Sequence, residues 1–150
     1  QENATSMPLR LRNGAGVNVR GGERVVLVGY PARSQLGGVN VTEGIVSGLR
    51  GALGDRSRFQ YTAPTQPGNS GGPVLDASGL VVGVVVSQID KISGERTAQN
   101  INFGIKLDLV RTFLSANNVT PAEAEAGSPL PTTDILQNSD QSVLPLDCLE

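Results

Sequence analysis

Two valine-built runs set the first limit on how this chain can fold. They are Arg24-Val25-Val26-Leu27-Val28-Gly29-Tyr30-Pro31 and Leu80-Val81-Val82-Gly83-Val84-Val85-Val86-Ser87. Short continuous runs of this kind read as strands buried on both faces, because branched side chains fit a pleated surface and crowd a helix. Pro31 ends the first run, since proline has no amide to give to a ladder. Pro8-Leu9-Arg10-Leu11-Arg12 and Phe59-Gln60-Tyr61-Thr62-Ala63 alternate, the period of half-buried strands. Val39 to Leu49 is a long strand interrupted by glycine, where a barrel strand coils or bulges. Asp76-Ala77-Ser78-Gly79 is a hairpin turn between Pro73–Leu75 and Leu80–Ser87, and Ile101–Ile105 returns as a strand.

Only Leu107, Val110, Phe113 and Leu114 repeat at helical spacing, with Asp108 near the start and Asn117-Asn118 at the end. The sum is an all-β domain over residues 8–117: an antiparallel barrel of six or seven strands, closed to remove exposed strand edges, with a C-terminal α-helix. Residues 1–7 read as an arm. Residues 118–150 form a second compositional unit, a Pro/Ala/Ser/Thr-rich tail. Residues 121–150 hold six acidic residues and no Lys or Arg, whereas residues 1–120 hold eight acidic and twelve basic. From Pro121 the chain reads as a linker. Ser142-Val143-Leu144-Pro145-Leu146 is apolar enough to pair, with no partner indicated, and Leu149-Glu150 reads as a cloning remnant.

The net charge of −2, without a basic cluster or basic–aromatic interleaving, gives no footprint for nucleic acid. Cys148 is the single cysteine and there is no histidine, so neither an intrachain disulfide nor a His/Cys metal cluster is expected. No apolar run approaches the ~20 residues of a membrane span. The chain opens on Gln1 with no signal pattern and reads as a piece of a longer protein.

The chemistry concentrates in Gln66-Pro67-Gly68-Asn69-Ser70-Gly71-Gly72-Pro73-Val74. A serine in a glycine-rich turn suits a hydroxyl that attacks a carbonyl. Flanking glycines accept backbone angles closed to other residues. The turn can aim the amides of Gly68 and Ser70 at one point, where an oxyanion would develop. A lone G-x-S-G would be an ordinary tight turn. The longer string Pro-Gly-Asn-Ser-Gly-Gly-Pro-Val resembles the nucleophile turn of the trypsin-like serine peptidases, and Asn69 resembles the bacterial HtrA/Deg-type branch. Arg24–Pro31, Asn40–Gly48 and Asn102–Leu114 are similar to that branch in kind and order.

The resemblance implies the second barrel of a chymotrypsin-like two-barrel fold, acting as a serine endopeptidase on protein or peptide substrates, with no cofactor. Ser70 would be the nucleophile and Gly68 an oxyanion-hole amide. The histidine base and its aspartate would sit on an N-terminal barrel outside these residues. Lys91 and Lys106 are the lysines available to replace that base, each also reading as a solvated surface residue. A substrate strand would add beside Val86-Ser87-Gln88. The side-chain pocket would be lined by Pro64-Thr65-Gln66, Val86-Ser87 and Ile101–Phe103, with Ile101 and Phe103 also reading as barrel core. Pro64 stands where basic-specific members carry an aspartate, so a Lys/Arg preference is not expected. The family also implies a bacterial cell-envelope or periplasmic setting. An isolated barrel is expected to self-associate or to loosen its serine turn. The alternative is a non-catalytic peptide-binding module descended from a peptidase.

Overall fold

A computed structural model of the chain describes residues 7–30, 37–86 and 101–146. The strands are β1 (Leu11–Asn13), β2 (Arg24–Gly29), β3 (Asn40–Gly48), β4 (Arg58–Tyr61), β5 (Pro73–Leu75), β6 (Val81–Val85), β7 (Asn102–Lys106) and β8 (Glu123–Glu125). Two α-helices follow β7: α1 (Leu107–Ala116) and α2 (Thr132–Ser139). Six strands close an antiparallel barrel in the order β2-β3-β4-β7-β6-β5, with β5 pairing back onto β2. This is the barrel that the sequence pattern predicts. The remaining strands add outside it and run parallel, β1 along β6 and β8 along β1.

The continuous apolar run of β2 has a direct cause. Alternate residues point to opposite faces. Val25 and Leu27 enter the barrel interior with Val46, Phe59, Tyr61, Ala63, Val74, Val82 and Val85. Val26 and Val28 point outward into a second cluster with Leu11, Leu75, Leu107, Ile135 and Val143. Inside, the Phe59 ring lies over bare backbone. A Cβ at Gly83 or Gly104 would stand 2.6 or 2.7 Å from that ring, so both positions need glycine. α1 ends in a Schellman motif: Asn118 has φ 58, its amide bonds the Ser115 carbonyl at 3.1 Å, and the Val119 amide bonds the Leu114 carbonyl at 2.9 Å.

The reading of Pro121 onward as a linker is corrected by the structure. β8 pairs with β1 through Leu11↔Glu123, Arg12↔Ala124 and Asn13↔Glu125. Glu123 accepts from Arg111 at 2.9 Å, and its carboxyl is held below the usual range by hydrogen bonds from Arg111 and Asn13. Arg24 donates to the Leu130 carbonyl at 2.8 Å. Ile135 of α2 is 1% exposed and Val143 is 8% exposed. Of the acidic residues beyond 120, Glu123 thus pairs with Arg111 of α1, and the few apolar side chains of this stretch cover the outer face of β2.

The tail is therefore expected to carry folding energy. Ile135→Ala should destabilise the chain by about 2–5 kcal/mol, read as a lower urea midpoint. A second expectation concerns Tyr61, fully buried with its hydroxyl 3.1 Å from Thr65 Oγ1. Burial pushes the phenol up to about 12. Because the folded value lies above the unfolded one, its contribution is complete below about pH 10 and is lost as pH rises toward 12. In a Tyr30→Phe background, the phenolate absorbance should rise near pH 12, and the urea midpoint should fall across the same window.

Candidate active site

The serine turn is fixed at both ends by the barrel. Its downstream end runs into β5, which is hydrogen-bonded to β2 on one side and β6 on the other. Within the turn, the Asn69 amide donates to the Gln66 carbonyl at 3.0 Å, and Gly68 has φ 101. A positive φ at the third position is what a type II turn requires, and only glycine takes it without strain. The Gly71 amide then reaches the Val85 carbonyl at 2.9 Å, and the Val85 amide reaches the Gly72 carbonyl at 2.9 Å. These bonds stitch the turn to β6.

Two close approaches set its depth. Asn69 is 6% exposed and lies against the end of β2, where a Cβ on Gly29 would stand 2.6 Å from Asn69 Oδ1. A Cβ on Gly72 would stand 2.9 Å from the Asn69 carbonyl oxygen and 3.3 Å from that of Val28. Asn69 is thus buried while its neighbour Ser70 is exposed. Among the described residues, the amides of Gly68 and Ser70 and the Ser70 hydroxyl make no hydrogen bond. Ser70, Gly68, Gly71, Gly29 and Tyr30 line a cleft of about 690 Å³ that Ser142–Leu146 also line.

The other residues named from sequence lie elsewhere. Thr65 is buried, its hydroxyl bonded to the Ala63 carbonyl at 3.2 Å, while Pro64 and Gln66 are exposed. Val86 is half-buried and its amide donates to the Phe103 carbonyl at 3.0 Å. Phe103 is buried and Ile101 half-buried. None of these six residues lines the Ser70 cleft. Ser87, Gln88 and Lys91 lie outside the described residues. Lys106 lines a separate cleft of about 370 Å³ with Arg56, Asp108 and Phe59, so the structure does not bring it to Ser70. Sequence reasoning missed the part that Gly29, Tyr30 and Ser142–Leu146 take in the cleft. The one available signal was the apolar character of 142–146.

A glycine-walled serine turn feeding the closing strand of a six-stranded antiparallel barrel is the arrangement of a serine-peptidase barrel. The family model of the trypsin-like peptidase domain matches residues 1–84. The chain belongs to that trypsin-like family, in its HtrA-type branch. It is 35% identical over 138 residues to the uncharacterized protein y4bJ of Sinorhizobium fredii, covering 88% of this chain and 22% of that protein. That coverage exceeds what residues 1–117 make up, so the likeness runs into the tail. It is 38% identical over 79 residues to the serine protease Do-like HtrB of Bacillus subtilis, covering 47% of this chain and 17% of that one. The solved serine endoprotease from Yersinia pestis superposes with a TM-score of 0.59 at 26% identity, over 75% of this chain and 36% of that one. The chain thus spans about a fifth of the length of these curated relatives.

Gly72→Ala should push its new methyl into the Asn69 and Val28 carbonyls. We expect a loss of about 1–3 kcal/mol, read by thermal denaturation, as for other overpacked sites.

Proposed function

We propose that this chain is the C-terminal catalytic barrel of a serine endopeptidase, with Ser70 as nucleophile and the Gly68 and Ser70 amides as its oxyanion hole. The observation that carries this reading is an exposed hydroxyl in a turn bonded to β6, beside two amides with no hydrogen bond among the described residues. Serine Oγ attacks the substrate carbonyl, and the charge that develops on its oxygen falls to those amides. The hydroxyl proton passes to a base and then to the leaving amine as the C–N bond breaks. Water hydrolyses the acyl-serine in the second half.

The base is the part this sequence lacks, for it contains no histidine. A histidine and its aspartate on an N-terminal barrel outside these residues would supply it. The isolated chain would then be inactive and prone to self-association. Its substrate is a protein or peptide, held in part beside Val86-Ser87-Gln88, with Pro64, Thr65, Gln66, Ile101 and Phe103 around the side chain before the scissile bond. The bacterial relatives support an envelope setting. The missing histidine is also the specific observation behind a second reading, a peptide-binding module without catalysis.

A fluorophosphonate probe separates the two, since it reacts only with an activated serine. The full-length protein containing this chain should label, Ser70→Ala should abolish labelling, and the 150-residue chain alone should stay unlabelled. Absence of label on the full-length protein, under conditions where it cleaves no peptide, would favour the binding module.

A further inference from the structure

Part of the lining of the Ser70 cleft comes from the far end of the described chain. Ser142–Leu146 follows α2 and lines the same cleft as Pro67, Gly68 and Ser70–Pro73. Val143 anchors it in the outer cluster that also holds Leu9 and Tyr30, and the Ser142 hydroxyl donates to the Met7 carbonyl. Its leucines do not share that burial. Leu144 is 66% and Leu146 94% exposed, yet both border the cleft with Pro145 between them.

We infer that Ser142–Leu146 is a strap that forms an apolar substrate subsite beside Ser70, through Leu144, Pro145 and Leu146. This rests on the reading of Ser70 as the nucleophile. Three observations carry it. The strap is attached by a buried anchor and by a hydrogen bond, which place its backbone along the cleft. None of the described residues lining the cleft is charged, so a charged substrate side chain would lose its water without gaining a partner. The cleft is also continuous with the serine itself, so an extended peptide reaching Ser70 from this side passes the strap. The occupant is therefore a substrate segment with apolar side chains next to the attacked bond. Exposed leucines at a site of this kind gain by burial against the ligand and lose nothing by packing in the free protein.

The test uses the full-length protein carrying Ser70→Ala, so that binding is read without cleavage. The probe is a labelled, unstructured ten-residue peptide, made once with Leu and once with Asp at the two positions on each side of its centre. Leu144→Asp with Leu146→Asp, both exposed positions, should weaken the Leu peptide roughly tenfold by fluorescence anisotropy. The Asp peptide should bind weakly to both proteins. Leu144→Met with Leu146→Met should keep the affinity for the Leu peptide. Unchanged Leu-peptide affinity in the Asp variant overturns the inference. So does a variant that changes only the sedimentation of the protein, which would make the strap a docking surface for another barrel. Fluorophosphonate labelling of the strap variant with Ser70 intact is read separately. Labelling lost in the unmodified protein sinks the nucleophile reading, while the anisotropy still decides whether the strap binds peptide.

Discussion

A strand of three residues carries the site. β5 closes the barrel, and Val74 and Leu75 are wholly buried between β2 and β6. Such a short strand has few ladder bonds to hold it, so its ends are tied separately. On the upstream side, Gly72 presses bare backbone against the carbonyls of Asn69 and Val28. On the downstream side, the buried Asp76 carboxylate accepts from the Ser78 amide, the Ser78 hydroxyl and the Leu80 amide, each at 2.9 Å. Arg12 balances that buried charge at 3.3 Å and also pairs with Glu23. A buried carboxylate with so many partners is costly to disturb, because removing one leaves the rest unsatisfied. β5 cannot slide, so the turn that precedes it cannot either.

The same ties link the periphery to the serine turn. Arg12 sits on β1, which is fastened to β6 on one side and to β8 on the other. The outer strands thus brace the hub that holds β5. The outer cluster does similar work for β2: Val26 and Val28 face Ile135 and Val143 on one side of a strand whose Gly29 end receives Asn69. Packing on the outside of the barrel and the depth of the serine turn are parts of one arrangement.

Much of this was legible in the sequence, and the parts that were not share a cause. β2, β3, β4, β5, β6, β7 and α1 all fall where valine runs, alternation and helical spacing put them, because each carries several apolar residues at the period of its own element. The serine turn was legible through its glycines. Glu123-Ala124-Glu125 left no such pattern: it is three residues long, pairs in parallel with a strand more than a hundred residues away, and exposes both glutamates. α2 has only two apolar residues, Ile135 and Leu136, and they are adjacent, so no helical period shows. Nor could local spacing reveal that Phe59 demands glycine at both Gly83 and Gly104, a requirement set by three strands at once.

The pairing of β1 with β8 also bears on the order in which the fold assembles. Leu11 and Glu123 meet across almost the whole described chain, as do Met7 and Ser142. Contacts so distant in sequence form only after the intervening barrel has shortened the path between them, because loop closure must be offset before they can contribute. The strap is thus a late arrival in folding, and by the same reasoning an early departure. It is attached through Val143 in the outer cluster and through the Ser142–Met7 hydrogen bond, contacts that only the assembled barrel brings within reach. The serine turn is bonded directly to barrel strands, whereas 142–146, which line the same cleft, come from the far end of the described chain. One side of the cleft is set by barrel closure itself, and the other by contacts that closure makes possible.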